Sequence, residues 1–228
     1  MKKREIEITA DGSSTIYVPE INEHYHSING AIQESMHVFI NAGLKQLDKK
    51  EVSILEIGFG TGLNAYLTLL YSQKNNISVN YIGVELYPLA TDFIKQINYP
   101  ELLEENADLF YKLHEAEWGK EKKITGSFGF KKNNSDITAL NILDENESFD
   151  LIYYDAFAPD KQPEMWNQQI FDYLYRHTNI GGILVTYCAK GVVRRMLQQA
   201  GYFTERLPGP IGKREMLRGN TFPAKKVL

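Results

Sequence analysis

Asp155 closes the apolar run Phe149-Asp-Leu-Ile-Tyr-Tyr-Asp155 and leads into Ala156-Phe-Ala-Pro-Asp-Lys-Gln-Pro-Glu-Met-Trp166. If the run is a strand of an open α/β sheet, Asp155 stands at its C-terminal edge, where such folds bind ligands. A carboxylate there can orient a reacting group or receive its proton. Phe157 and Trp166 offer rings that would stack on a base drawn out of its neighbours, and Pro159 and Pro163 stiffen the loop between them. The alternative is that Asp155 caps a turn and the aromatics are core.

A second constellation lies upstream, in Val52-Ser-Ile-Leu-Glu-Ile-Gly-Phe-Gly-Thr-Gly-Leu-Asn64. Ile54, Leu55 and Ile57 suit a buried parallel strand. Gly58, Gly60 and Gly62 permit positive φ and a close backbone approach to a ligand, and a helix starting near Leu63 points its free N–H groups at it. The spacing is Glu-x-Gly-x-Gly-x-Gly, neither the dinucleotide fingerprint nor a phosphate loop. Glu85 ends the next apolar run, Val79-Asn-Tyr-Ile-Gly-Val-Glu85, and can accept from both hydroxyls of a ribose or cap a helix starting near Pro88. The two runs together read as a nucleoside cofactor site.

These residues need an alternating scaffold. Strands are predicted at 52–57, 79–85, about 126–132, 149–154, 182–188, 202–207 and 214–217, and helices at 63–74, 88–97, 101–117, 163–177 and 191–201. Nearly continuous apolar strands alternating with helices predict an α/β, Rossmann-like fold: a mostly parallel seven-stranded sheet with helices on both faces. Residues 1–45 read as an N-terminal extension over the cofactor cleft, with a strand at Thr15–Val18 and a helix over Ala31–Leu44 whose Glu34, Ser35 and His37 would face the cleft; the pattern fits equally a plain surface helix that buries Ile32, Val38 and Phe39. Residues 46–228 form the main domain. A chain of 228 residues can bury roughly 70% of the surface it exposes unfolded.

Composition narrows the classes. No apolar run is long enough to span a membrane, and Met-Lys-Lys-Arg-Glu has no apolar segment behind it to make a signal peptide. Cys188 is the single cysteine, which excludes intramolecular disulfides, and His24-x-His26 lacks further ligands, so no metal is expected. A cytoplasmic protein follows. Net charge is −4, yet residues 190–228 hold nine Lys/Arg (Lys190, Arg194, Arg195, Arg206, Lys213, Arg214, Arg218, Lys225, Lys226) against Glu205 and Glu215. That stretch reads as a polyanion footprint on an otherwise acidic chain, the alternatives being a solvated helix face at Arg194 and Arg195 and an ordinary basic tail.

The glycine pattern resembles the first motif of class I S-adenosylmethionine methyltransferases. Asp155-Ala-Phe-Ala-Pro-x-Lys-x-Pro-Glu-x-Trp166 closely resembles the signature of the methyltransferase domain of the bifunctional bacterial tRNA-modification protein MnmC and its standalone relatives. The likeness extends to Gly30-Ala-Ile-Gln-Glu-Ser-x-His-Val-Phe39, Gly58-Phe-Gly-Thr-Gly-Leu-Asn64, Thr186-Tyr-Cys-Ala-x-Gly-x-Val-Arg-Arg195 and Gly212-Lys-Arg-Glu-Met-Leu217.

The resemblance implies methyl transfer from S-adenosylmethionine to the amine of 5-aminomethyl-2-thiouridine at the tRNA wobble position, giving 5-methylaminomethyl-2-thiouridine. The expected cofactor residues are Glu34, Glu56, Gly58, Phe59, Gly60, Thr61, Gly62, Asn64, Glu85, Asp136 and Asp155. Among them Glu34 and the glycines face the methionine end, Glu85 the ribose and Asp136 the adenine amino group. Asp155 is the expected catalytic residue, orienting the amine and receiving its proton. Phe157, Pro159, Lys161, Trp166, Lys190, Arg194, Arg195, Lys213 and Arg214 are expected to meet tRNA. The sequence has no second Gly-rich dinucleotide motif and no room for a flavin domain, so no oxidase activity is expected and a separate enzyme would supply the amine. Rival readings are an aminopropyltransferase or other small-amine methyltransferase, a nicotinamide dehydrogenase, and a non-catalytic tRNA-binding module. The basic C-terminal stretch, the glycine spacing and Asp155 respectively disfavour the aminopropyltransferase, the dehydrogenase and the binding module.

Overall fold

The computed structural model describes residues 3–222. Its first layer is a small antiparallel sheet of β1 (Glu5–Ile8), β2 (Ser14–Val18) and β3 (Glu23–His24), followed by helix α1 (Ala31–Ser35). The main chain path then alternates through β4 (Glu51–Ile57), α2 (Leu63–Asn75), β5 (Ser78–Val84), α3 (Thr91–Ile94), α4 (Tyr99–Leu102), α5 (Ala107–Glu115), β6 (Lys122–Thr125) and β7 (Phe128–Asn133). It continues through β8 (Phe149–Tyr154), α6 (Gln168–Arg176), β9 (Thr178–Thr186), α7 (Gly191–Ala200), β10 (Phe203–Pro208) and β11 (Glu215–Asn220).

The main sheet has eight strands in the order β10-β11-β9-β8-β4-β5-β7-β6. Its five central strands, β9-β8-β4-β5-β7, are parallel, and the pairs at both edges are antiparallel. Rossmann-like alternation is therefore present. The strand beyond the seven expected is β6, a polar Lys-Lys-Ile-Thr edge segment that a search for apolar runs passes over.

Successive residues of the central strands face opposite sides, and both sides are apolar, as a doubly covered parallel sheet demands. Ile54, Tyr81, Leu151 and Tyr153 pack on one face with Leu69, Phe110 and Phe39. Leu55, Ile57, Ile152, Tyr154 and Leu184 pack on the other with Ile170, Phe171, Val193 and Leu197.

Several predicted helices are shorter, each for a local reason. The 31–44 segment is α-helical to Ser35 and then winds as a π-helix over Met36–Asn41, where Ala42 N–H reaches the carbonyl of His37. The 101–117 segment breaks at Glu104, whose φ is +53°, and restarts at Asn106, whose side chain caps α5 by accepting from Asp108 N–H. Pro163–Met165 is a 3₁₀ turn, and α6 begins after Asn167 caps it through Ile170 N–H at 3.1 Å. The 88–97 segment retains one helical turn, α3.

Candidate active site

Five parallel strands deliver their C-terminal ends to one side of the molecule, and four of these ends, with the segment after β9, border a cavity of about 810 Å³. Gly58, Phe59, Gly60 and Thr61 follow β4; Glu85 follows β5; Asp136 lies just past β7; Asp155 and Ala156 follow β8; Tyr187 follows β9. This is the ligand crevice of an open α/β sheet.

The glycine loop can approach a ligand because its backbone leaves the range open to other residues. Gly58 has φ +92°, and a Cβ there would stand 2.5 Å from the carbonyl oxygen of Asp155. Gly60, at φ +49°, donates its N–H to Glu85 Oε2 at 2.9 Å, and Tyr87 N–H donates to Oε1 at 2.8 Å. Two backbone donors thus fix the Glu85 carboxylate, whose remaining lone pairs suit the paired hydroxyls of a ribose. Arg4 ties the rim to the N-terminal layer by donating to the carbonyls of Tyr87 and Pro88. Asp136 accepts twice through one oxygen, from Thr138 N–H and Oγ1, while lining the cavity.

Beneath the loop runs a polar relay. Asn64 Nδ2, in the first turn of α2, donates to Asp155 Oδ2 and to Glu56 Oε1, both at 2.9 Å. Tyr81 Oη donates to Glu56 Oε2 at 2.8 Å. Glu56 is fully buried, and burial pushes its carboxyl well above the usual range. Asp155 is pushed up to about 7, first by burial and then by the charge of Glu34, against the opposing hydrogen bond from Asn64 and the charge of Lys213. A carboxyl held there can exchange protons near neutrality.

The first layer closes the other wall. Glu34 is buried; its Oε2 accepts from Ser27 N–H at 2.7 Å and its Oε1 pairs with Lys213 Nζ. Tyr25 stands edge-on to Phe157 with ring centroids 5.2 Å apart, and Phe157 faces the cavity. His26, buried beside Glu34, is held at a pKa of about 4 chiefly by desolvation.

The cavity unites Glu34, Gly58, Phe59, Gly60, Thr61, Asn64, Glu85, Asp136, Asp155, Phe157, Lys161 and Lys213. It does not include Glu56, whose place is in the relay below, nor Gly62, whose Cβ position faces His114 and Phe59. Ser35 is buried away from it, and His37 bonds the carbonyl of Pro208.

Expected tRNA contacts divide in the same way. Trp166 is not an open stacking platform: it is 5% exposed, packs on Tyr154 and Phe171, and donates Nε1–H to the carbonyl of Phe157 at 2.7 Å. The core alternative holds for this ring, because α6 folds its apolar face over it. Pro159 lies off the cavity, and Arg194 is partly buried on α7. Lys190, Arg195 and Arg214 are exposed, Lys190 in an ion pair with Asp160. Lys213, expected on phosphates, points instead into the cleft, and Arg218 pairs with Glu205 and the carbonyl of Ala42. Lys225 and Lys226 lie outside the described residues.

Tyr25, His26 and Tyr187 line the cavity but are not among the expected site residues, His26 being weighed only as a metal ligand. The first two sit in a turn-rich segment without periodicity. Tyr187 lies inside the fifth predicted strand, 182–188, and could have been found by asking which side chain near its end stands at the ligand edge.

Comparison with known proteins bears on this geometry. The profile of a family described as S-adenosyl-L-methionine-dependent methyltransferase matches residues 113–221. The tRNA 5-methylaminomethyl-2-thiouridine biosynthesis bifunctional protein MnmC of Pseudoalteromonas atlantica is 31% identical, over 96% of this chain and 34% of its own length. That of Nitrosospira multiformis is 30% identical, over 90% of this chain and 35% of its own. Among solved structures, MNMC2 from Aquifex aeolicus superposes with a TM-score of 0.78 at 26% identity, covering 98% of this chain and 72% of the other. Over nearly its whole length the chain is similar to MnmC. It spans about a third of the length of the curated MnmC relatives it matches. Spermidine synthase from Thermotoga maritima shares the fold, with a TM-score of 0.62 at 10% identity. In this chain the segment matched by the methyltransferase profile carries Asp136, Asp155, Tyr187 and Lys213, while the glycine loop and Glu85 precede it. Among the described residues no group of three or more His, Cys, Asp or Glu could hold a metal ion, and no helix is long and apolar enough to cross a membrane.

Proposed function

We propose that this protein methylates the primary amine of 5-aminomethyl-2-thiouridine at the tRNA wobble position, giving 5-methylaminomethyl-2-thiouridine. The observation that carries the reading is Asp155, a carboxyl held at about 7 on the cavity wall, with the Gly58 backbone packed against its own carbonyl. The names of the curated relatives, which describe biosynthesis of that nucleoside, support the choice of substrate.

The residues suit S-adenosylmethionine. Gly58 lets the loop pack against the Asp155 backbone where any Cβ would collide, Glu85 presents fixed acceptors for a ribose, Asp136 faces the adenine end and Glu34 the end where an ammonium is needed. When bound, S-adenosylmethionine supplies a sulfonium methyl to the amine. Asp155 orients the amine nitrogen and takes the proton released as the new N–C bond forms and the S–C bond breaks. Tyr25 and Phe157 wall the site against water, and burial favours the neutral amine that attack requires. Residues 1–45 act as the layer over the cleft. Lys190, Arg194, Arg195 and Arg214 take tRNA phosphates, and Lys161 the substrate near the cavity mouth. The enzyme works in the cytoplasm on amines made by a separate enzyme.

The test combines tRNA bearing 5-aminomethyl-2-thiouridine with labelled S-adenosylmethionine and nucleoside analysis. Label is expected in 5-methylaminomethyl-2-thiouridine. An unmethylated nucleoside, under conditions where both substrates bind, would overturn the reading.

A further inference from the structure

Lys213 belongs to the turn between β10 and β11, where its N–H donates to the carbonyl of Pro210 at 2.9 Å and Gly209 N–H donates to that of Arg214. The neighbouring side chains Ile211 and Arg214 are exposed, yet Lys213 reaches inward. Its Nζ pairs with Glu34 Oε1 and sits 3.8 Å from the centroid of the Tyr187 ring. The Glu34 side chain is 7% exposed and that of Lys213 is 32% exposed, so the carboxylate is the fixed member and the lysine reaches it from the rim.

We propose that Glu34 and the face of Tyr187 form a primary-ammonium subsite, and that Lys213 is its internal occupant, displaced when a ligand brings an ammonium of its own. The inference rests on the methyltransferase reading and deepens it. A carboxylate and an aromatic face are together what a primary ammonium seeks. Both ligands of the proposed reaction carry such a group: the α-ammonium of the cofactor and the aminomethyl group of the nucleoside.

Charge balance explains why an occupant is needed. Glu34 raises Asp155 by repulsion and Lys213 lowers it by attraction, so the three groups share one field. A buried carboxylate without a cation, beside a second carboxyl, is costly. Lysine suits a temporary partner, being a point charge on a flexible stem where arginine would form a rigid fork. Ser27 N–H keeps Glu34 Oε2 in place whether or not the lysine is there. One ammonium can thus replace another without changing the charge of the cleft.

The expected effect follows from occupancy. If Lys213 fills the subsite about nine-tenths of the time, removing it should tighten a competing ammonium ligand about tenfold. Calorimetry with S-adenosylhomocysteine, which has the α-ammonium, and 5′-methylthioadenosine, which lacks it, reads this in wild type, Lys213→Met and Lys213→Arg. Expected is tighter S-adenosylhomocysteine binding in Lys213→Met, weaker binding in Lys213→Arg, and unchanged 5′-methylthioadenosine binding. If the subsite serves the nucleoside amine instead, S-adenosylhomocysteine is unaffected and KM for aminomethyl-tRNA falls in Lys213→Met. Melting curves establish that each variant is folded, and Lys213→Arg keeps the comparison open should Lys213→Met not fold. Unchanged or weaker binding of both ammonium ligands in Lys213→Met, or an equal shift for 5′-methylthioadenosine, overturns displacement alone. Failure of wild type to bind S-adenosylhomocysteine overturns the cofactor reading with it.

Discussion

Asn64 Nδ2 donates to Asp155 Oδ2 at 2.9 Å, which fixes one oxygen of the carboxyl and leaves the group free to turn its other edge toward a substrate. The same nitrogen donates to Glu56, so the orientation of Asp155 depends on a fully buried acid with no access to the cavity.

Methyl transfer should rise with pH through about 7 as Asp155 loses its proton. Asp155→Asn should retain cofactor binding, slow transfer by roughly 10²-fold and lose that inflection. Stability carries the opposite sign. A folded pKa above the ordinary carboxyl value of 3.8 means the folded state holds the proton more tightly, so this group's contribution falls as pH rises from about 4 to about 7. Melting curves at pH 8 should therefore show Asp155→Asn more stable than wild type.

Gly58→Ala should impair both fold and cofactor site. Its φ of +92° is strained for alanine, and the new Cβ would press on the Asp155 carbonyl at 2.5 Å. A loss of about 1–3 kcal/mol from backbone strain is expected in chemical denaturation, with S-adenosylhomocysteine binding lost in calorimetry.

Trp166→Ala should act as a core deletion, costing about 3–5 kcal/mol in denaturation. Trp166→Phe keeps most of the packing but loses the bond to Phe157, at about 1 kcal/mol. Binding of aminomethyl-tRNA should weaken in Trp166→Phe only so far as Phe157 loosens. A large loss of tRNA affinity without loss of stability would restore the ring as a stacking platform.

tRNA affinity should fall steeply with salt. Arg195→Ala and Arg214→Ala should each flatten the log–log slope by about 0.7 to 0.9. Arg218→Ala should leave the slope alone and cost about 1.5–3 kcal/mol of stability instead, because its charge is spent on Glu205. Filter binding across a salt series, with parallel denaturation curves, separates the two outcomes.

The sheet's centre was legible because its strands are apolar on both faces and end in glycines or carboxylates. Gly58, Glu85 and Asp155 could be placed at one edge from that pattern alone. Chain-local patterning cannot show which aromatic is covered by a later helix, as Trp166 is by α6, or where a lysine on a distant turn will reach. Lys213 and Arg218 read as free positive charge because their partners, Glu34 and Glu205, meet them only after folding. The β6 edge was hidden by polar composition, and the breaks at Glu104 and Asn167 by helix formers on both sides.

The Glu34–Lys213 contact joins positions 179 residues apart. Closing so long a loop costs entropy before the contact repays it, and topologies rich in distant pairs order slowly. During synthesis the glycine loop and Glu85 leave the ribosome long before the turn that completes the cleft. Until that turn arrives, the nascent chain holds Glu34 without this partner, so competence for the amine end of the site is acquired last, after the nucleoside end has its strands.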